Sequence, residues 1–228
     1  MTTAQKIDLN VDVKPSLIYS AVAVGPFDLA KKALESESYD VISLPINAEL
    51  RIKQGKEAYI SQNGNWVREG VIYVPGKGNK LVRNSPILYS AQEATQAHRQ
   101  GMEFYTTNEA VKKALEDFVD FPLNNKDIPT NRFNTDSLTV WAFGAGDAKK
   151  AQAYGDFLKD SGINSMSVYA VDKNYVNEQN SPFVRQLWFS RLVGRSGLYG
   201  NYRFLRNGDR VRGVRSADAE GVASKNSN

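Results

Sequence analysis

The sequence predicts an α+β fold: a mixed or antiparallel sheet with two β-α-β units and a C-terminal β-hairpin. Three observations carry that expectation. β-branched apolar runs such as Leu17 to Val24 alternate with alanine- and lysine-rich segments of helical period. Short alternating runs punctuated by turn residues fill Leu50 to Tyr89. An Asn207-Gly208 pair separates two β-prone segments near the C-terminus. Two ferredoxin-like halves would satisfy this description, by an analogy that carries no function.

The ends are small and polar, so residues 1–14 and 216–228 are expected to be a mobile N-terminal and a disordered C-terminal tail around a single domain over 15–215. Leu17 to Val24, closed by Gly25-Pro26, suits a buried strand and a helix start, with a helix over Asp28 to Glu35 and a strand over Tyr39 to Leu44. This is the first β-α-β unit. Ala58-Tyr59-Ile60, Trp66-Val67 and Val71 to Val74 then read as strands, with hairpin turns at Asn63-Gly64 and Pro75-Gly76-Lys77-Gly78.

Ser90 with Glu93 forms a capping-box pattern for a helix over Ala91 to Gln100, and Thr106 with Glu109 repeats it for Ala110 to Val119. The asparagine-rich loop 123–137 is a candidate sub-boundary. Beyond it, Leu138 to Phe143 as strand, Ala148 to Asp160 as helix and Met166 to Val171 as strand make the second β-α-β unit. Its Ala148-Lys149-Lys150-Ala151 echoes Ala30-Lys31-Lys32-Ala33. Ser181 and Pro182 signal a helix through Val193, stopped by Gly194. Leu198 to Arg206 and Asp209 to Arg215 complete the hairpin.

Composition narrows the chemistry. The chain of 228 residues has no cysteine, which excludes disulfides and thiolate sites, and a 41% hydrophobic, 24% charged make-up suits a globular core. No run approaches the roughly 18 apolar residues of a membrane span, and the N-terminus lacks a secretory pattern, so a cytoplasmic protein without a membrane partner is expected. His98 is the lone histidine and reads as a surface residue; it cannot by itself build a metal cluster or a triad. Gly144-Ala145-Gly146 falls short of a dinucleotide fingerprint because position 149 is Lys149, and Asp147 reads as a helix N-cap. No catalytic residue, metal or cofactor is expected.

One segment stands out electrostatically. Arg185 to Arg215 holds eight of thirteen arginines, no lysine and one acid, Asp209, a local formal charge of +7 in a chain of net +4. The hairpin would place Arg203, Arg210 and Arg212 together on one side, with Tyr199 and Trp188 as stacking platforms. The expectation is a non-catalytic nucleic-acid-binding protein, for single strands or RNA, using Arg185, Arg191, Arg195, Tyr199, Arg203, Arg206, Arg210, Arg212 and Arg215. Lys77 and Lys80 at the hairpin tip would add backbone contacts. The alternative is a self-assembling protein, a homo-oligomer in a ring, filament or virion, whose arginines form intersubunit ion pairs.

Overall fold

The computed structural model describes residues 7–11, 18–192, 194, 196–202, 205 and 209–216. The chain opens with strands β1 (Asp8–Val11) and β2 (Ile18–Val24), helix α1 (Phe27–Ser36) and the two-residue strand β3 (Asp40–Val41). Helices α2 (Leu44–Gln54) and α3 (Tyr59–Gln62) lead to the long strand β4 (Asn65–Val74) and to β5 (Gly78–Val82). Helices α4 (Ala91–Arg99) and α5 (Asn108–Ala114), strands β6 (Phe118–Phe121) and β7 (Lys126–Pro129), and helices α6 (Ser137–Gly144) and α7 (Ala148–Asp160) follow. Strand β8 (Ser165–Tyr169), helix α8 (Lys173–Asn177) and strands β9 (Phe183–Phe189), β10 (Gly197–Tyr199) and β11 (Arg210–Ser216) complete it.

The described strands form one mixed sheet in the order β1-β2-β11-β4-β9-β10-β8-β7, with β5 and β6 branching from β4 and β3 from β11. The two ends of the domain meet in it: β11 runs antiparallel to β2 over Arg210↔Val24 to Ser216↔Ile18. Strand β9 lies at the centre, and its pattern explains the two cores. Phe183, Leu187 and Phe189 enter one cluster with Tyr73, Phe143 and Tyr154, beneath α2, α6 and α7. Val184 enters the other, with Phe27, Leu34, Trp66 and Ile72, beneath α1 and α4. A sheet buried on both faces needs apolar residues on both sides of its strands, and β9 has them.

Several elements follow the sequence reading. Helices α1, α4 and α7, strand β2 and the β4–β5 hairpin over Gly76-Lys77 stand where expected, and Asp147 caps α7 through bonds from Lys149 N (2.8 Å) and Lys150 N (3.2 Å). The α4 and α5 starts differ in detail. Ser90 makes no side-chain cap bond, and Thr107 rather than Thr106 accepts from Ala110 N.

Other expectations are overturned. Leu138 to Phe143 is helical, as α6, with an Asp136 cap, so the second β-α-β unit and the internal echo dissolve. Tyr39 to Leu44 is strand only at Asp40 and Val41, because Pro45 in the first turn starts α2. Tyr59 and Ile60 belong to α3. The helix expected after Pro182 is strand β9. Among the described residues β10 is not paired with β11: Tyr199 is opposite Trp188 and Tyr169, while β11 lies between β2 and β4, and the expected Asn207-Gly208 turn lies outside the described residues. Ferredoxin-like halves are not what this sheet order describes. Residues 1–6, 12–17 and 217–228, most of the expected tails, lie outside the described residues, while Asp8–Val11 is strand β1.

Candidate ligand-binding surface

Register across the sheet sets up the most distinctive surface. Trp66 of β4 lies opposite Trp188 of β9, Trp188 opposite Tyr199 of β10, and Tyr199 opposite Tyr169 of β8. Directly opposed residues share a face, so four aromatics form one row across four adjacent strands. Trp66 and Trp188 meet edge-on at 5.1 Å, and Tyr169 and Tyr199 stack at 4.4 Å with 25° between their planes. Tyr202 lies over the row, stacked on Trp188 at 5.9 Å and within 5.6 Å of Trp66. Only Trp66 is fully buried; Trp188, Tyr199, Tyr202 and Tyr169 are half-buried, where the row runs out beyond α1.

Local chemistry fixes these rings. A Cβ on Gly64 would lie 2.7 Å from Cζ2 of Trp188, so the indole lies against a backbone that only glycine leaves open. Tyr202 is placed through the preceding turn, in which Tyr169 O accepts from Gly200 N (2.9 Å) and Asn201 N (3.2 Å). Asn201 O accepts from Arg185 Nη1 at 2.5 Å. Arg185 is itself buried and held by Glu103 through Nε (3.1 Å) and Nη2 (2.5 Å), with Tyr175 donating its hydroxyl to the same carboxylate at 2.8 Å. The pair ties the sheet centre to the turn under Tyr202.

Beyond Tyr169 the surface becomes polar. Ser165, Ser167 and Tyr169 alternate onto one face of β8, and Ser167 is opposite Asp127 of β7, to which its hydroxyl donates at 2.6 Å. These residues border a cleft of about 780 Å³ together with Asn125, Lys126, Asn164, Lys56, Glu57 and Gln62. Ile163 and Leu192 add apolar surface to the lining. The fully buried Arg51 steadies the adjoining chain: Nη2 donates to Ser190 O at 2.8 Å, Nη1 to the Tyr154 hydroxyl at 3.2 Å, and the guanidinium lies 3.9 Å over Phe189.

Of the three arginines expected together, Arg203 lies outside the described residues, while Arg210 and Arg212 both reach Tyr59, Arg212 with its guanidinium 5.7 Å over the ring. Arg185 and Arg212 are buried, Arg212 donating to Ser20 Oγ at 2.9 Å. Arg210 donates to the Tyr59 hydroxyl at 3.1 Å, and Arg215 lies over Tyr39 and Tyr19. Arg191 is exposed. Arg195, Arg203 and Arg206 lie outside the described residues. At the β4–β5 turn Lys77 is exposed and Lys80 pairs with Asp120. His98 is buried at 4% exposure rather than on the surface, because α4 turns Ala94, Thr95 and His98 inward. Of the residues singled out by the sequence, Tyr199 and the stacking platform Trp188 are the ones that belong to this surface. Tyr169, Asp127 and Asn164 come from separate segments and had no local signal beyond the Ser165-x-Ser167-x-Tyr169 alternation.

Two acids carry raised pKa values. Glu69 projects from the irregular stretch of β4 between Trp66 and Gly70 and is fully buried. Burial pushes its carboxyl up to about 7, against the Leu44 N–H and the Arg83 guanidinium 3.5 Å away. Asp209 rises to about 6 by burial, opposed by the Trp66 indole N–H and Arg210. Neither borders the polar cleft. Among the described residues no group of three or more acidic or histidine side chains is placed to hold a metal ion, and no helix is long and apolar enough to cross a membrane.

No protein-family model matches the chain, and no curated protein matches it. A solved structure does, one described as the accommodation of massive sequence variation in Nanoarchaeota by the C-type lectin fold. The likeness is to the C-type lectin fold. It spans 95% of this chain and all of the other at a TM-score of 0.60 and 15% sequence identity. The resemblance at that identity is one of architecture alone. It also corrects the nucleic-acid expectation: the C-type lectin fold is not a nucleic-acid-binding fold, and the hairpin that was to grip phosphates is absent from the described strands.

Proposed function

We propose that this chain is a non-catalytic recognition protein that binds its ligand on the sheet face of Trp188, Tyr199, Tyr169 and Tyr202. The observation that carries the reading is the cross-strand aromatic row, which continues past its helical cover and ends half-buried beside a polar cleft. Tyrosine and tryptophan supply large contact area at low conformational-entropy cost, and serine and asparagine supply adaptable hydrogen bonds, the mixture that recognition surfaces favour. The opposite faces of the same strands, through Leu187, Phe189, Leu198 and Val168, belong to the core. Tyr169 and Tyr199 belong to neither core cluster, so side chains at those positions can differ without repacking a core, which is in keeping with a scaffold similar to one described as accommodating massive sequence variation.

The test is binding to printed oligosaccharide and peptide arrays by the wild-type protein and a Tyr199→Ala/Tyr202→Ala variant. The reading expects array signals that the variant loses by about tenfold or more while its far-ultraviolet spectrum is unchanged. Signals of equal strength in both proteins, or none with either, would refute it.

A further inference from the structure

We infer that the pocket between the end of β5 and helix α5 takes a free aromatic amino acid, a compact ring carrying an ammonium and a carboxylate. None of its lining residues belongs to the aromatic row or to the polar cleft, so the assignment stands apart from the recognition surface. Size comes first. The pocket encloses about 340 Å³, near the lower end of the roughly 300–1,000 Å³ of small-ligand sites. That is room for a single ring system and its head group.

Shape and polarity come second. Ala110 and Ala114 lie four residues apart on α5 and so share one face of the helix, where their methyl groups keep the pocket wall low and apolar. The buried Pro86 and the ring of Tyr89 also line it. Tyr89 is 74% exposed, an uncovered aromatic ring beside small side chains. A flat ring laid in this slot can meet it in the offset or edge-on arrangements that aromatic pairs prefer.

Charge comes third. The lining sets Arg83 and Lys113 against Glu116 and Asp117, with no net formal charge but both signs within one small pocket. Arg83 and Asp117 are fixed. The guanidinium lies 3.6 Å over the Trp141 ring and donates to Trp141 O at 3.2 Å and to Asp117 at 3.4 Å, while Trp141 Nε1 donates to the same carboxylate at 2.8 Å. Asp117 is thus held in place, and its oxygens keep lone pairs for an ammonium, with Glu116 next to it in the chain. Lys113 is exposed, and its amine lies 5.9 Å from the centre of the Tyr89 ring. A cation for the carboxylate, acids for the ammonium and an aromatic ring therefore surround one apolar slot. A ligand with a single charge would satisfy half of this rim, and a neutral one none of it.

Isothermal titration of the purified protein with L-phenylalanine, L-tyrosine and L-tryptophan tests the assignment. At least one is expected to bind with a submillimolar Kd, and its N-acetyl amide, which lacks both charges, to bind about tenfold or more weaker. Tyr89→Ala and the slot-filling Ala110→Leu should each weaken binding about tenfold or more, Tyr89→Phe should keep it, and Lys113→Ala should cost about three- to fivefold. Thermal melts check that each variant is folded. If none of the three amino acids binds, or if folded Tyr89→Ala and Ala110→Leu bind like wild type, the assignment is overturned. An N-acetyl amide that binds as well as its parent amino acid would also overturn it, marking the slot instead as a seat for an aromatic side chain of a partner protein.

Discussion

Tyr169 and Tyr199 stack 4.4 Å apart across the parallel pair β8–β10, with Tyr199 also directly opposite Trp188 of β9. One tyrosine thus joins the sheet centre to the polar cleft. An aromatic pair of this kind is worth about 0.5–1.5 kcal/mol beyond the area it buries. Tyr199→Ala is therefore expected to lower unfolding stability by about 1–3 kcal/mol in urea titration, leaving a folded protein in which Tyr169 lacks its brace.

Gly64 and Trp188 supply a sharper structural test. Adding a methyl group at position 64 would drive it into the indole. Gly64→Ala should displace Trp188, shift the tryptophan emission maximum and cost about 1–3 kcal/mol. An unchanged spectrum would mean that the indole is not seated on this backbone.

The buried Arg185–Glu103 pair holds the turn below Tyr202. Removing one partner strands a buried charge, so Arg185→Met is expected to destabilise by about 3–5 kcal/mol in denaturant titration. Arg185→Met with Glu103→Gln should recover part of that loss, because the uncompensated carboxylate is then gone.

Stability should also depend on pH through Glu69. Its carboxyl is raised from 4.5 to about 7 in the folded chain. Between those values the folded state keeps a proton that the unfolded state has released, so stability falls as pH rises through this window and levels off above it. Asp209, raised from 3.8 to about 6, adds a decline of the same sign at lower pH. Unfolding free energies from urea titration are expected to drop between pH 5.5 and 8, by an amount on the order of 2 kcal/mol, and Glu69→Gln should remove most of the drop above pH 6.

Local signals served the elements whose neighbours in space are neighbours in sequence. Helices α1 and α7 carry amphipathic patterns, Asp147 caps its own helix, and the Pro75 to Gly78 turn closes adjacent strands. Elements buried on both sides misled. Strand β9 is covered on both faces and buries even Arg185 and Gln186, so it lacks the alternation of a half-exposed strand, and Ser181-Pro182 in front of it imitates a helix start. Helix α6, with Leu138, Ala142 and Phe143 buried, lacks a polar stripe and resembles a buried strand in sequence.

The site was less legible still. Strand β11 pairs with β2 across nearly the whole chain, a contact with no local signal in the sequence, and it sets Arg210 and Arg212 beside β2 rather than beside β10. Arg185 and Arg212 went inward, to Glu103 and Ser20, a burial that the run of positive charge in the sequence did not announce. The aromatic row arises from register between four strands far apart in sequence, so only Tyr199 and Trp188 could be singled out beforehand.

The most direct test of the recognition surface is hydroxyl-radical footprinting of the protein with and without an array-selected ligand. Protection concentrated on Tyr169, Trp188, Tyr199 and Tyr202 is the expected result. Protection at remote exposed rings such as Tyr89 or Tyr105, with these four unchanged, would contradict the account.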